Sequence, residues 1–370
     1  MTKNRLKLPK TDTDQVTVRF APEPSGYLHL GHIKALFLNI IVVEDFNGKL
    51  VVRFDDTNPV KETNEFKNSI IEDLNLLDIK PDVVTYTSDY FDVIQDYCKK
   101  LIMMGKAYLD SSSQEDMSNK RQTGDPSEFR DTSVEENIVL FNQFISDSNS
   151  KYCVRAKIDY HHKNKCMRDP VIFRSCNVPH LKTGDTYTCY PTYDFSCPIV
   201  DHIENITYAM RAIEYYDHRD IYKWMCKTMD LNNVPLVHFT KLNFTNTVMS
   251  KRKMKWLVDN HHVEGWDDPR LPTVRGLLNA GLTVTGLKDY IISMGNGDTS
   301  VHVEWSKLWA TNKKVIDPIV PRYSSVNSDD YVTIILTNFN GTQEVSVPLH
   351  PKNESLGIRS VYQSNKILIN

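Results

Sequence analysis

No stretch of this 370-residue chain is apolar for long enough to cross a bilayer. The longest, 35–43, is interrupted by Asn39, whereas a spanning helix takes about 20 consecutive apolar residues. The polar opening, 1–14, has neither the apolar centre of a secretion signal nor the Arg-rich, acid-free character of a transit peptide. A cytoplasmic protein that avoids membranes is expected. An excess of one charge is also missing. With 44 Lys and Arg against 47 Asp and Glu the net charge is −3, so no global basic field exists and any nucleic acid must meet a local patch. Seven cysteines make no C-x-x-C pair and no Cys/His cluster with zinc spacing. They read as reduced structural thiols, and no metal site is expected. No G-x-G-x-x-G follows a predicted strand, which speaks against a dehydrogenase.

What is present alternates strand with helix. Gln15 to Phe20 is β-patterned and leads through Ala-Pro-Glu-Pro-Ser-Gly into an apolar helical stretch. A second strand is expected over 49–54, followed by a helix with Phe66, Ile70, Leu74 and Leu77 on its buried face. A third, 83–86, precedes a helix carrying Ile94, Tyr97, Leu101 and Met104. Such alternation implies parallel crossovers, hence an α/β fold with a doubly wound sheet. The pattern breaks after Asp110 into Ser-, Asp- and Asn-rich sequence, with a β-prone piece at 152–158, and reads as an insertion that splits the sheet. Alternation resumes after Pro191. A helix is expected over 202–214 with Ile203, Ile206, Met210 and Ile213 on one face, then a helix over 221–229 and a strand at 236–239. A helix is expected near Trp256, and a helical run with glycine breaks covers 271–310. From Pro318 the composition turns to β.

Two short segments carry chemistry. The first strand-to-helix loop holds His29-Leu30-Gly31-His32. Histidines three apart at a helix start share a face, where backbone N–H groups and the positive dipole end favour phosphate. Gly31 between them lets a flat base approach the backbone. Far downstream, Val248-Met249-Ser250-Lys251-Arg252 places a mobile ammonium on a loop, suited to charge on phosphoryl oxygens.

Together, on a split sheet, these segments resemble the HIGH and KMSKS signatures of class I aminoacyl-tRNA synthetases. Further segments are similar to the glutamyl/glutaminyl branch: 19–29 around Pro-Glu-Pro-Ser-Gly-Tyr-Leu-His, Val-Arg-Phe-Asp-Asp-Thr-Asn-Pro at 52–59, and Tyr-Pro-Thr-Tyr-Asp-Phe at 190–195. Gly-Trp-Asp-Asp-Pro-Arg at 265–270, Pro-Thr-Val-Arg-Gly at 272–276 and Asn-Lys-Lys-Val-Ile-Asp-Pro at 312–318 extend the match to roughly Val16–Tyr323. The resemblance is to the glutamyl-tRNA synthetases of archaeal and eukaryotic cytosolic type. It implies a Rossmann-like catalytic core in two halves, 1–109 and 191–262. An α+β acceptor-end domain would be inserted at 110–190, with a helical connector at 263–317 and the start of an anticodon β-barrel at 318–370. Only 47 residues follow Tyr323, too few for two barrels, so the chain reads as cut short.

The resemblance implies ATP-dependent ligation of glutamate to tRNA(Glu) through an adenylate, with Mg²⁺ arriving on the nucleotide and no covalent enzyme nucleophile. Carried over by position, Glu23, Pro24, Ser25, Gly26, His29, Gly31 and His32 would line the ATP site with Lys241, Leu242, Met249, Ser250 and Lys251. His29, His32 and Lys251 are the phosphate ligands and catalytic groups. Asp55 and Tyr193 match positions that hold the substrate amine. Arg211, read as lying on the 202–214 helix, matches a position that is arginine in glutamyl enzymes and small in bacterial-type glutaminyl ones. A guanidinium pairs with a carboxylate but is left uncompensated by an amide. Arg19 supplies a second guanidinium, and which arginine serves which carboxylate stays open. Arg252, Lys253 and Lys255 are the expected tRNA contacts. Other synthetases or scaffold proteins are expected partners through regions beyond the two ends. Ala21, Tyr208 and Met249 depart from the family pattern, replacing proline, histidine and leucine. The rival readings are a glutaminyl enzyme and a non-catalytic tRNA-binding relative. The resemblance also implies that glutamate activation needs bound tRNA.

Overall fold

In the computed structural model, residues 6–11, 13, 15–297, 302–327 and 329–369 are described. β1 (Thr17–Phe20) passes through the Pro-rich loop into α1 (Leu30–Phe46). Asn47 closes α1 in the left-handed region (φ 49°). At Gly48 a Cβ would lie 2.4 Å from the Val16 carbonyl oxygen, so only glycine lets the chain turn beside β1 into β2 (Lys49–Phe54). α2 (Asn64–Leu76), capped by the Thr63 hydroxyl on the Phe66 N–H (3.1 Å), buries Phe66, Ile70 and Leu74 at the spacing expected. β3 (Val83–Tyr86) and α3 (Phe91–Met103) complete this half. β1 and β3 both pair parallel to β2.

The inserted region is an antiparallel sheet, β4 (Ala107–Asp110), β5 (Cys153–Ala156), β6 (Val171–Ser175) and β7 (Cys189–Pro191), in that order across the sheet. β4 therefore straddles the boundary expected at 109. The polar stretch between β4 and β5 carries α4 (Gln114–Thr123) and α5 (Val134–Phe144). Ser113 and Ser133 cap them by accepting from the Asp116 and Glu136 N–H groups. α4 buries Met117 alone, so it has almost no apolar stripe to read.

No helix covers 202–214. α6 (Tyr193–Ile203) begins nine residues earlier and ends where Asn205 turns left-handed (φ 51°). Ala209–Ala212 is a strand, β8, followed by α7 (Arg219–Met229) and β9 (Leu236–Phe239). A strand covered on both faces is apolar without alternation, so its residues can be mistaken for part of a helix stripe. β8 pairs parallel with β9, and a parallel bridge between Val18 and Tyr208 sets it beside β1. The strand order is thus β3-β2-β1-β8-β9. Connections leave β1 and β8 in opposite directions, which opens a crevice at their carboxyl ends.

β10 (Asn243–Phe244), α8 (Lys251–Asp259), α9 (Val274–Asn279), α10 (Val284–Met294), β11 (His302–Val303) and α11 (Trp305–Ile316) follow. The helical run expected over 271–310 is broken by β11, and its part at 298–301 lies outside the described residues. The chain divides into two compact units, 1–281 with 291–304, and 282–290 with 305–370. In the second, β12 (Val332–Ile335) pairs antiparallel with β15 (Lys366–Ile369), and β13 (Thr342–Pro348) with β14 (Ile358–Ser364). Among the described residues no helix is long and apolar enough to cross a membrane. All seven cysteines are free thiols.

Candidate active site

The loop after β1 ends at His29, the N-cap of α1. The His29 Nδ1 accepts from the Gly31 N–H (3.1 Å), and the His32 Nδ1 accepts from the His29 N–H (3.2 Å). With both Nδ1 atoms acting as acceptors, each neutral ring carries its proton on Nε2, where it is a donor. Burial, then the Lys251 and Lys241 charges, push the His29 imidazole down to about 3. Burial and His29 itself hold His32 well below its ordinary range. Both rings are therefore neutral at pH 7. The backbone N–H groups expected to meet an anion at this helix start are not free. The first-turn amides are spent, Leu30 N–H on the Pro272 carbonyl (3.1 Å), Gly31 N–H on His29, and His32 N–H on the His29 carbonyl (2.8 Å). Self-capping by histidine consumes them, so the imidazole donors and the helix dipole remain for phosphate. The rings lie 4.0 Å apart, and at Gly31 a Cβ would meet His29 Cε1 at 2.9 Å.

Residues 265–276 buttress this turn. Val274 N–H donates to the Leu28 carbonyl (3.0 Å), and Thr273 bridges to His29 in antiparallel fashion. Trp266 stacks on Tyr27 with centroids 4.8 Å apart. Arg275 joins from the same segment, bonded to Asp73 (2.8 Å), whose other oxygen accepts from the Leu28 N–H (3.2 Å).

A cleft of about 570 Å³ opens at the carboxyl ends of the strands. Of the residues singled out in the sequence, Arg19, Glu23, Gly31, His32, Asp55, Tyr193, Arg211, Lys241 and Lys251 line it. Pro24, Ser25, Gly26, His29, Leu242, Met249 and Ser250 do not. Pro24 lines a smaller neighbouring hollow, Ser25 accepts from Lys251, His29 backs His32, and Leu242 is fully buried. Sequence reasoning passed over Asn39, Thr57, Asn58, Arg174, Asp194 and Tyr215, which also line the cleft. Of these, Thr57, Asn58 and Asp194 lie within the quoted motifs at 52–59 and 190–195, the signal that could have found them.

The two arginines differ sharply. Arg19 is buried and donates through Nε to Asp201 (3.0 Å) and through Nη1 to the Met210 carbonyl (3.2 Å). Asp201 also takes Arg53 (2.5 Å) and the Tyr222 hydroxyl (3.0 Å). Although burial alone would raise it, the two guanidinium groups hold that carboxyl far below the ordinary range. Arg211, on β8 rather than on a helix, is only 3% exposed, yet none of its three nitrogens has a hydrogen-bond partner. Its closest carboxylate oxygen, on Asp194, is 3.7 Å away, and Asp194 is already bonded to His218 Nδ1 (2.7 Å). The guanidinium sits among the rings of Tyr193, Tyr215 and Tyr222 at 5.3, 5.1 and 5.8 Å. Neither Glu214 nor Asp217 takes it, and Glu214 pairs with Lys241 instead (3.3 Å).

Across the cleft, half-buried Asp55 follows β2, with the Thr57 hydroxyl on its Oδ1 (3.1 Å). Burial and Glu23 raise its carboxyl to about 7. Tyr193 opens α6, and burial keeps its phenol protonated. Lys251, the first residue of α8 after the N-cap Ser250, reaches back to the Ser25 hydroxyl (3.2 Å) and the Glu23 carbonyl (3.4 Å). The close approach depends on Gly26, where a Cβ would press on Lys251 Cδ at 3.1 Å. Met249 packs near Gly31. Arg252 and Lys253 are exposed on α8, whereas Lys255 pairs with Asp259 (2.8 Å). Of the departures from the family pattern, Tyr208 is buried and donates its hydroxyl to the Pro9 carbonyl (2.6 Å), and Ala21 lines the cleft. Among the described residues no group of three or more His, Cys, Asp or Glu is placed to hold a metal.

Residues 15–318 match the catalytic domain of the class I tRNA synthetases (E and Q), and residues 320–370 match the anticodon-binding domain of the same family. The chain is 47% identical over 367 residues to a probable cytoplasmic glutamate–tRNA ligase of Schizosaccharomyces pombe, covering 98% of this chain and 51% of that protein. It is 46% identical over 370 residues to the cytoplasmic glutamate–tRNA ligase of Saccharomyces cerevisiae, covering 98% and 52%. A bifunctional glutamate/proline–tRNA ligase of Drosophila melanogaster is 48% identical over 366 residues, 98% of this chain and 21% of that protein. The chain thus spans about half the length of the two fungal relatives. A glutamate–tRNA synthetase from Elizabethkingia anophelis shares the fold at a TM-score of 0.58 and 18% identity, over 81% of this chain and 70% of that one. Matched across its core and its C-terminal segment alike, this chain belongs to the class I tRNA synthetases of the glutamate and glutamine family.

Proposed function

We propose that this chain activates L-glutamate with ATP and passes the glutamyl group to tRNA(Glu). The observation that carries the reading is Arg211, a buried cation without a hydrogen-bond partner that faces an open cleft. Such a group is stabilised by a ligand carboxylate, and glutamine has none in its side chain. Arg211 therefore takes the side-chain carboxylate. Arg19 spends Nε and Nη2 on Asp201 and one Nη1 proton on the Met210 carbonyl, and offers its second Nη1 proton to the α-carboxylate. Asp55 and the Tyr193 hydroxyl face the amine. The glutamate α-carboxylate attacks the α-phosphate of ATP and pyrophosphate leaves; the terminal ribose hydroxyl of tRNA then takes the glutamyl group and AMP leaves, with Mg²⁺ arriving on the nucleotide. The His29 and His32 Nε2–H groups and the Lys251 ammonium hold the phosphates, with Glu23, Pro24, Ser25, Gly26, Gly31, Lys241, Leu242, Met249 and Ser250 shaping the ATP site around them. No side chain forms a covalent bond to substrate, so catalysis rests on position and charge.

We further assign the two-part sheet as the catalytic core, the β4–β7 sheet as the acceptor-end domain and β12–β15 as the beginning of an anticodon barrel. Relatives named cytoplasmic support a cytoplasmic site of action, and bifunctional relatives support association with other synthetases. The direct test is exchange of pyrophosphate into ATP, with glutamate against glutamine, each with and without tRNA. Exchange driven by glutamate with tRNA is expected. Exchange driven by glutamine would overturn the role given to Arg211.

The Asp55 assignment carries a pH dependence. An ammonium is held by the ionised carboxylate, and the free carboxyl titrates near 7. Glutamate affinity should fall about tenfold for each pH unit below 7 and level off above it. Calorimetric titration at pH 6 and pH 8 checks this, and equal affinities would remove Asp55 from the amine site. Stability runs the other way. The carboxyl is raised in the folded state, so ionisation opposes folding above the unfolded value of 3.8. Asp55→Asn should stabilise the fold above pH 7, by at most about 4 kcal/mol, and change little below pH 4.

For tRNA, Arg252 and Lys253 supply exposed positive charge. With two to three phosphate contacts, affinity should drop roughly tenfold or more between 50 and 200 mM salt. Lys255→Ala should matter less than Arg252→Ala because Lys255 is already paired with Asp259. A salt-independent affinity would refute the contact set.

A further inference from the structure

The loop that presents Asp55 to the cleft is held from outside the nucleotide-binding sheet. After Asp55, the Asp56 carboxylate accepts from the Ser88 N–H (2.9 Å) and hydroxyl (2.6 Å). The Asn58 N–H donates to Glu62 Oε1 (2.6 Å). The Asp56 carbonyl is met by His180 Nε2 at 2.8 Å. His180 belongs to the connection between β6 and β7, in the inserted sheet. Its Nδ1 accepts from the Lys182 and Thr183 N–H groups, both at 3.2 Å, which leaves the proton on Nε2 as a donor to Asp56. The ring is buried, 5.5 Å from Phe91 edge to face and stacked on Tyr190 at 5.8 Å. The same connection is anchored by Lys182 on Asp89 and by the Tyr187 hydroxyl on Asp92 (2.7 Å). Those contacts hold it to the start of α3, whereas His180 alone reaches the substrate loop.

We infer that His180 is a positioning residue for glutamate binding: from the inserted domain, its Nε2–H fixes the Asp56 carbonyl and so the adjoining Asp55 carboxylate at the amine subsite. The inference rests on the glutamate reading above. A fixed loop matters because an amine held by one carboxylate tolerates little misplacement. The inserted domain thereby contributes to amino-acid affinity without touching the amino acid.

Two substitutions separate this role from simple packing. His180→Asn keeps an acceptor for the Lys182 and Thr183 amides but is too short to reach Asp56. His180→Gln carries a donor to the Nε2 position. Calorimetric titration of the full chain with glutamate and, separately, with ATP is the measurement. His180→Asn should weaken glutamate about tenfold and leave ATP affinity within about twofold, and His180→Gln should recover most of the loss. His180→Phe, which fills the slot between Phe91 and Tyr190 without a donor, should behave as His180→Asn does. Equal weakening of both ligands, or unchanged glutamate affinity, would overturn the inference. Absence of glutamate binding by the unmodified chain would instead overturn the functional reading, and that result is seen before any variant is made.

Discussion

Replacing Arg211 by alanine is expected to weaken glutamate binding at least a hundredfold while ATP affinity stays within about twofold. The guanidinium is 3% exposed, bonded to nothing, and compensated only by Asp194 at 3.7 Å and three tyrosine rings. A bidentate carboxylate would satisfy it, and sites built around such a partner lose about 10² to 10⁴ when it is removed. The same geometry predicts an unusual stability effect. Without ligand, Arg211 is a buried charge with poor compensation, so removing it should leave stability within about 1 kcal/mol or raise it. Arg211→Lys should fall between, keeping charge but losing the planar fork. Calorimetry with each ligand, alongside thermal unfolding, decides the matter. Equal loss of glutamate and ATP binding, or a marked loss of stability, would make Arg211 structural.

Lys251→Ala should slow adenylate formation by about 10² to 10³ and change ATP affinity less than tenfold. In this structure the ammonium rests on the Ser25 hydroxyl and the Glu23 carbonyl, the loop that precedes the two histidines. Burial pushes it down from its usual range, so leaving that perch for a phosphate chain gains a stronger partner. Charge on the α-phosphate grows during displacement, and a cation aimed at that growth acts on rate more than on binding. The His29 and His32 donors are neutral, which makes Lys251 the main full positive charge there. Single-turnover measurement of pyrophosphate release with tRNA bound reads the effect, and an unchanged rate constant would sink the assignment.

Much of the core was legible because it follows local rules. β2, β3 and β9 lie at the residues read from the sequence, and β1 falls within its expected span. The buried stripe of α2 falls at Phe66, Ile70 and Leu74. Where the period is ambiguous the reading failed. The 3.6-residue spacing of Ile203, Ile206, Met210 and Ile213 places Met210 and Arg211 on a helix, whereas the segment is a central strand covered on both faces. α4 escaped notice for the opposite reason, since a helix that buries one residue has no stripe.

The sequence by itself determined that His29-Leu30-Gly31-His32 starts a helix after a strand and that Asp55 follows a strand, whereas Lys251, expected on a loop, is the first residue of α8. Each depends on neighbours a few residues away, whose capping and periodicity are set locally. Only the tertiary structure decided which arginine is free. By residue type Arg19 and Arg211 offer the same guanidinium, but Asp201 lies beside Arg19 and Arg53 in space and not beside Arg211. It decided likewise that the α1 amides are already used, that residues 265–276 brace the histidine turn, and that His180 reaches the Asp55 loop. A hydrogen bond is allotted by distance in space, and these partners are separated by well over a hundred positions along the chain or compete for one donor within a single turn. Residue type and spacing reveal which groups can pair. Packing settles which of them do, and so which charge is left for a substrate.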